Sequence, residues 1–291
     1  MAKVPDPPYI VAGAVGGPLV EYVTTPLRNA LTLGASDQSA TVLGLYRQVF
    51  RNGAFSGGIP MAKAAVPGFL VLGPAFHWFK DRTGGSHVAA VTLTAWAETM
   101  VFYGAETYNA QIAYNLKAAA AAATHGGGAI PSIVRLQNPS HPTFGIGFGL
   151  NMTRNVLAMS GIRVFSKPCQ DLMQRMDDAR RLSLATRAIL GDLVANIFVS
   201  AASTPLHQLY GWSVTTRVAA ANNTTVEPFG TAAMKFLRAQ YLTPSGHLSK
   251  VAGRDMCLRV AYNTTIFTLF GFIERNLVST WPASWQWPSS T

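Results

Sequence analysis

Long apolar stretches alternate with short polar segments along almost the whole chain. Six of these stretches reach the roughly 20 residues that an α-helix needs to cross the hydrocarbon core of a bilayer. Small and weakly polar residues recur within all of them, as is usual for membrane helices that pack around a polar interior. The predicted spans are Tyr9–Leu33, Ile59–Lys80, Val88–Tyr108, Phe144–Phe165, Ala188–Val214 and Met256–Leu277.

A shorter segment lies in the polar connection inside each pair of spans. Thr41–Phe50 places Val42 and Leu45 on one face of a helix, so it is amphipathic. Ile130–Leu136 and Thr231–Gln240 occupy the corresponding places in the other two pairs. The sequence therefore predicts an all-α membrane protein with six spans and a short helix in each of three connections.

Short segments that contain proline or glycine recur at matching places in three of the spans, with a period of about 100 residues. Thr25-Pro26-Leu27 in the first span and Thr204-Pro205-Leu206 in the fifth place a proline inside an apolar helix, where it produces a kink. Gly104-Ala105-Glu106 stands at the matching place in the third span. We therefore expect a single domain of three two-helix repeats, at approximately 9–82, 87–168 and 187–278, followed by a C-terminal tail at 279–291.

Composition and charge support a membrane protein. Only 12% of the residues are charged, about half the usual fraction, and the mean hydropathy is +0.20. The formal net charge is +10, but the basic residues lie near the ends of apolar runs and do not form one stripe. That placement favours contact with lipid headgroups, so no nucleic-acid partner is expected.

Candidate chemistry is sparse. Cys169 and Cys257 are isolated, and the six histidines show no metal-ligand spacing. The glycine-rich stretches lack the Lys-Ser/Thr pair of a phosphate loop, and no Gly-x-Ser-x-Gly element is present. We expect no catalytic residue, no metal and no cofactor, and we predict that the protein is not an enzyme.

The threefold pattern resembles the mitochondrial carrier family, whose members have three repeats of two tilted helices joined by a short matrix helix. The best local match is the segment from Gly53 to Pro60, Gly-Ala-Phe-Ser-Gly-Gly-Ile-Pro, followed by Val66-Pro67-Gly68. The resemblance extends from about Tyr9 to Leu277 and lies in architecture and spacing more than in residue identity. It implies six tilted transmembrane helices in pseudo-threefold order and a multi-pass location in the mitochondrial inner membrane.

In that family, the motif Pro-x-acid-x-x-base on each odd helix supplies a matrix-side gate of three acid–base pairs. In this chain the first repeat has Arg28 in the acid's place, the second keeps the acid Glu106, and the third has His207. None of the three repeats keeps the base. The resemblance thus implies a degenerate matrix gate comprising Pro26, Arg28, Leu31, Gly104, Glu106, Asn109, Pro205, His207 and Tyr210.

The opposite gate of the family, an aromatic–acid–x–x–base pattern late in each even helix, is also degenerate here. His77 replaces the acid before Lys80, and Glu274 remains in the sixth span. Alternating access requires two closed states of comparable free energy. The loss of charge pairs from both gates removes the usual means of stabilising them.

Residues for substrate and lipid are implied by the same resemblance. Carriers contact substrate halfway along the even helices, which corresponds here to Ala64, Arg154 and Arg259. Two intramembrane arginines indicate an anionic solute, but pairing with Glu106 or with helix carbonyls is an equal alternative. Carriers also hold cardiolipin at the matrix-helix ends. The corresponding residues are Phe55 and Gly57, without a basic residue between them, and Gly145 and Gly147, whose backbone amides can bind an anion.

Two segments are predicted to contact other inner-membrane subunits. The link 170–187 joins spans four and five and is the most charged part of the chain. The tail 279–291 carries Trp281, Trp285 and Trp287 in a proline-rich stretch, which suits either a protein partner or the lipid interface.

Two functions stay open from the sequence. The degenerate gates and the charged link favour a non-transporting accessory subunit of a larger assembly, such as a respiratory-chain complex or ATP synthase. Arg154, Arg259 and the positive net charge favour the alternative, an active carrier that exchanges an anionic metabolite. The first function is our preferred hypothesis.

Overall fold

A computed structural model of the chain describes residues 7–124, 133–139, 145–176, 182–221 and 227–282. This part of the chain is helical and contains no strand, so the all-α prediction is confirmed. Two π-helical turns, Ala12–Gly16 and Gly161–Phe165, join neighbouring helices. The α-helices are α1 (Pro7–Val11), α2 (Gly17–Val23), α3 (Thr25–Ser36), α4 (Val42–Asn52), α5 (Gly58–Arg82), α6 (His87–Thr124), α7 (Phe148–Ser160), α8 (Ser166–Met176), α9 (Leu184–Val214), α10 (Thr216–Ala221), α11 (Phe229–Tyr241) and α12 (Lys250–Thr280).

Between three and five helical segments of the described residues are long and apolar enough to cross a membrane. Three are the regions of α6, α9 and α12, and two more count if each bent pair forms one span. The pairs are Pro7–Val23 with Thr25–Ser36, bent by 52°, and Gly58–Leu70 with Ala75–Arg82, bent by 41°. These segments are consistent with a multi-pass membrane protein. The predicted span Phe144–Phe165 is not among them, and the six-span count stays a prediction.

The break in the first span follows from its proline. Pro26 has no backbone N–H, so the helical hydrogen-bond pattern is interrupted and α3 begins anew at Thr25. The Thr24 hydroxyl donates to the Val20 carbonyl at 2.8 Å, so the Thr24 side chain supplies a hydrogen bond to the backbone at the bend. The kink predicted at Pro26 is therefore present, whereas α9 continues through Pro205 without interruption.

Two of the three predicted short helices are confirmed, as α4 and α11. The third, Ile130–Leu136, is wrong in its described part, because residues 133–138 are not helical. The Asn115 side chain accepts from the Val134 N–H at 2.9 Å and donates to the Val134 carbonyl at 2.8 Å. These bonds hold Val134 in a non-helical segment against the end of α6. Residues 130–132 lie outside the described part.

The long helices pack in chain order. Helix α2 packs on α5, α5 on α6, α6 on α7, α7 on α9 and α9 on α12, and α12 packs back on α3. This sequence of contacts closes a ring, so side chains from different parts of the chain meet along its inner surface.

Helices α5 and α7 each begin after a glycine in the left-handed backbone region. The φ angle is 76° at Gly57 and 90° at Gly147. A β-carbon at Gly57 would lie 3.0 Å from the Asn109 Cα, whereas one at Gly84, with φ of 64°, would meet nothing within 4 Å.

We expect Gly84→Ala to lower the free energy of unfolding by about 1 kcal/mol through backbone strain. Gly57→Ala adds a clash and should lower it by about 2 to 4 kcal/mol. Denaturant titrations in detergent micelles measure both losses, and equal losses would contradict the close packing at Gly57.

Candidate functional site

The ring encloses a cluster of charged side chains near its centre. Each of the arginines and the histidine is at most 6% exposed. They come from α3, α7, α9 and α12, and a carboxylate from α6 joins them. The cluster, called the central network below, comprises Arg28, Glu106, Arg154, His207 and Arg259.

Arg154 is bound firmly to α6 and to its own helix. Its Nη2 donates to both carboxylate oxygens of Glu106 at 2.9 Å, and Asn151 donates to the same carboxylate at 2.7 Å. The Arg154 Nε donates to Asn155 at 3.0 Å, and Asn155 in turn donates to Thr99 of α6 at 3.0 Å. The sequence left two roles open for Arg154, contact with an anionic solute or pairing with Glu106. In the structure Arg154 is paired with Glu106.

His207 links two arginines. Its Nδ1 lies 3.1 Å from Nη1 of Arg154 and 3.4 Å from Nη1 of Arg259. A guanidinium can only donate hydrogen bonds, so Nδ1 is the acceptor and the imidazole carries its proton on Nε2. The neutral ring of His207 therefore joins α7, α9 and α12 at one point.

Arg28 connects the bent first span to the last helix. It forms an ion pair with Glu21 across the break at Thr24. Its Nε and Nη2 donate to the hydroxyl of Tyr262 at 2.8 and 2.6 Å. The sequence interpretation missed both partners. Glu21 could have been found as an ionisable residue inside an apolar span, and Tyr262 as a polar residue one turn from Arg259.

Arg259 is the exception in the central network. No carboxylate of the described residues lies within ion-pair distance of it, and its Nε makes no hydrogen bond there. Its guanidinium lies 5.7 Å from the centre of the Tyr262 ring. Glu98 of α6 interacts with Arg259 only at longer range, and its buried Oε2 also lacks a hydrogen-bond partner in the described residues. Arg259 is thus a buried cation that is incompletely neutralised.

The cavity at the centre of the ring is small. The space within it that the centre of a water molecule can occupy is about 20 Å³, which holds about one water. Arg28, Glu106 and His207, the third residues of the three repeated motifs, all line this cavity. The remaining lining residues are Thr32, Ala110, Arg154, Tyr210, Gly211 and Tyr262.

Of the other predicted matrix-gate positions, Leu31, Asn109 and Tyr210 are buried. Leu31 lies in an apolar cluster with Leu258, and Tyr210 shares a 2.8 Å hydrogen bond with Thr107. Asn109 donates to Asn29 at 3.1 Å and to the Ser56 carbonyl at 2.9 Å. Leu31, Asn109 and Tyr210 therefore contribute to packing between helices, mostly through neutral contacts. Pro26, Gly104 and Pro205 lie within α3, α6 and α9, respectively.

Ala64, which was predicted to contact substrate, does not line the cavity. It packs with Met61 and Phe102 between α5 and α6. Arg154 lines the cavity, and Arg259 reaches it through His207. The structure thus brings the two predicted arginines together and separates them from Ala64.

At the end of the ring near α4 and α11, Arg254 forms a second polar network that the sequence interpretation missed. Its Nη1 donates to the carbonyls of Asp37 and Ala40 at 2.6 and 2.7 Å, and its Nη2 donates to the Gly34 carbonyl at 2.9 Å. It also forms an ion pair with Asp255 at 2.8 Å. Arg254 thereby caps the C-terminal end of α3 from α12.

Asp37 extends this network to α4 and α6. It accepts from Gln48 at 3.2 Å and from Ser39 at 2.9 Å, and it pairs with Lys117 at 3.2 Å. Burial raises the pKa of Asp37, but these hydrogen bonds and the Lys117 charge outweigh burial and lower the pKa to about 2. The ionised carboxylate therefore stabilises the folded protein.

We expect this stabilisation to depend on pH. Because the pKa of Asp37 is lower in the folded protein than the value of about 3.9 in an unfolded chain, the contribution is complete above about pH 5 and disappears as the pH falls through 4 towards 2. Melting temperatures of the native protein and of Asp37→Asn should therefore differ most above about pH 5. A difference that stays constant down to pH values of about 2 would contradict this assignment.

The predicted opposite gate is arranged differently from the family pattern. His77 is exposed on the second half of α5, with Lys80 one turn further along. Glu274 lies within electrostatic range of Arg163, whose guanidinium is 4.9 Å from the centre of the Phe76 ring. Arg163 was not among the predicted gate residues. It lies in the π-helical turn after α7, which no sequence pattern indicated.

The residues predicted to contact lipid lie at or near the starts of α5 and α7. Phe55 is 46% exposed and stacks on Tyr22, with ring centres 5.1 Å apart. Gly57 and Gly147 cap α5 and α7, and Gly145 lies against the Tyr103 side chain.

The two predicted partner segments are only partly described. The link 170–187 comprises the end of α8 and the start of α9, and its residues 177–181 lie outside the described part. Of the tail 279–291, residues 283–291 lie outside it.

No protein-family profile matches the chain, and a search of curated proteins found no significant match.

Proposed function

We propose that this chain is a carrier-fold protein of the mitochondrial inner membrane that does not transport solutes. In this proposal it serves as an accessory structural subunit of a larger respiratory-chain or ATP synthase assembly. The observation that carries the proposal is the central network, in which Arg28, Arg154 and His207 bind across helices and leave room for about one water.

Three features support the underlying six-span, three-repeat architecture. The ring of helix contacts closes from α12 to α3. The matched motif residues Arg28, Glu106 and His207 line one cavity. Two even helices begin after a left-handed glycine, Gly57 and Gly147. A pseudo-threefold bundle accounts for all three features at once.

The energetics favour a static bundle. Alternating access would require α3, α6, α9 and α12 to separate in turn on each side. Separating α3 from α12 breaks the hydrogen bonds from Arg28 to Tyr262, and a hydrogen bond to a charged group usually contributes about 1.5 to 3 kcal/mol. The Arg254 network holds the α4 end of the ring closed as well. An open state would need interactions of comparable strength at the other end of the ring.

The test of the accessory function is the size of the native particle. Membranes of the source cells are solubilised in a mild detergent, and the protein is followed by native electrophoresis. We expect it to migrate with a much larger complex and to co-purify with constant partners. Migration as a lone species of about its own 31.1 kDa, plus detergent, would contradict the proposal. A harsh detergent that releases the chain from the complex is the control.

Arg259 favours the alternative function, a carrier for an anionic metabolite. It is 4% exposed, and no carboxylate of the described residues pairs with it. A bound carboxylate or phosphate would supply the missing negative charge. Solute uptake that depends on Arg259 would favour this function over the structural one.

A further inference from the structure

The central cavity is surrounded by buried positive charge. Arg28 and Arg154 line it, and each is 4% exposed. Arg259, also 4% exposed, contacts the cavity wall, with its Nη1 3.4 Å from Nδ1 of His207 and its guanidinium 5.7 Å from the centre of the Tyr262 ring. Three guanidinium groups, from α3, α7 and α12, therefore converge on a space that holds about one water.

The carboxylates of the described residues do not balance these cations. Glu21 pairs with Arg28 and Glu106 pairs with Arg154, whereas Arg259 has no carboxylate within ion-pair distance in that part of the chain. Three buried guanidinium groups thus have two paired carboxylates, and one positive charge is left over. A buried charge without a counter-charge is strongly destabilising.

Two hydrogen-bond donors at the cavity are still available. The Arg28 Nε and Nη2 donate to the Tyr262 hydroxyl, but its buried Nη1 has no partner among the described residues. Those two bonds occupy both acceptor positions of the hydroxyl, so its own hydrogen is left for another acceptor. Both residues line the cavity. Glu106 lines it too, but its oxygens already accept from Arg154 and Asn151.

We propose that the cavity holds one single-atom monovalent anion, such as chloride, as a structural ligand. A halide accepts hydrogen bonds from both donors and supplies the missing negative charge, whereas a water supplies no charge. A carboxylate or a phosphate has several heavy atoms, and the space of about 20 Å³ is too small for either. The inference rests on the closed central network of the proposed function and adds a ligand to it.

The first test is the melting temperature of the purified full-length protein in detergent micelles. It is measured in sodium gluconate and in sodium chloride at equal ionic strength, so that general screening is the same. Gluconate is too large for the cavity. We expect chloride to raise the melting temperature by roughly 5 °C at about a hundredfold above its dissociation constant, and bromide to act similarly. No rise with either halide, or a larger rise with phosphate or a dicarboxylate, would overturn the proposal.

Two variants separate binding from a general salt effect. Arg259→Met removes the leftover charge and keeps most of the side-chain volume. We expect it to melt in gluconate at or above the temperature of the native protein and to show no response to chloride. Arg51→Met removes the same charge from an exposed position of α4 and should keep the full response. Equal responses of the two variants would overturn the proposal.

Glu98 of α6 is the rival source of negative charge, because it interacts with Arg259 at longer range. If Glu98 neutralised the network, the native protein would not respond to chloride, whereas Glu98→Gln would. That pair of results would overturn the proposal. Under the proposal both proteins respond.

Bromide shows where the ion lies. Crystals grown in bromide should give an anomalous scattering peak beside Arg28 and Tyr262, and ordered bromide at other places alone would overturn the proposal. The outcome is distinguishable from that of the accessory function. A chloride response in a protein that migrates without other subunits would support the anion site and contradict the accessory function. A large native complex without a chloride response would contradict the anion site alone.

Discussion

Replacing Glu106 by glutamine is expected to lower the free energy of unfolding by about 3 to 5 kcal/mol. The substitution keeps the shape of the side chain and removes the charge that neutralises Arg154, which is 4% exposed and bonded to both Glu106 oxygens. The loss therefore reports an uncompensated buried cation. Denaturant titration in detergent micelles, followed by tryptophan fluorescence, measures it.

Two comparisons make the Glu106 result specific. Glu227→Gln removes the same charge from an exposed pair with Lys235 and should cost about 0 to 1 kcal/mol. Replacing both partners, as Glu106→Leu with Arg154→Met, should recover most of the lost stability because no charge is left buried. A Glu106→Gln loss no larger than that of Glu227→Gln would contradict a buried central network.

Arg254→Ala is the second substitution for which we expect a large effect, again about 3 to 5 kcal/mol. It leaves the fully buried Asp255 without its cation and removes the donors of three carbonyls, that of Gly34 in α3 and those of Asp37 and Ala40 just after it. Arg254→Lys should recover less than half of the loss, because one ammonium cannot reach the carbonyls on both sides as the guanidinium fork does.

The matched control for Arg254 is Arg238 of α11, which is exposed. Arg238→Ala should change the free energy of unfolding by no more than about 0.5 kcal/mol. If Arg254→Lys were as stable as the native protein, a simple charge would suffice at this position. The assignment of Arg254 as a cap for α3 would then be wrong.

The sequence predicted the helices well where apolar runs are long, because such runs must be buried or placed in lipid. It also indicated which charges would matter, since Arg154 and Glu106 are ionisable residues within apolar spans. Their pairing was one of two open interpretations, because a single sequence does not show which helices are neighbours.

Other features have no sequence signal of this kind. Arg254 binds backbone carbonyls of Gly34, Asp37 and Ala40, and every residue has a carbonyl, so no residue type marks the partner. The wrong prediction of a helix at Ile130–Leu136 has a similar cause: in the described residues 133–136, the Asn115 side chain satisfies the Val134 backbone in place of helical hydrogen bonds. Tertiary contacts decided these points, and local pattern did not.

The central claim, that the polar network closes the middle of the bundle to solutes, is tested most directly by uptake into liposomes. Folded, purified protein in cardiolipin-containing liposomes is given nucleotides, carboxylates, phosphate and amino acids. We expect no uptake above that of empty liposomes, with or without the Arg154→Ala, Arg259→Ala double substitution. Exchange of any solute that is lost in the double variant would contradict it and would establish an anion carrier with an unusual gate.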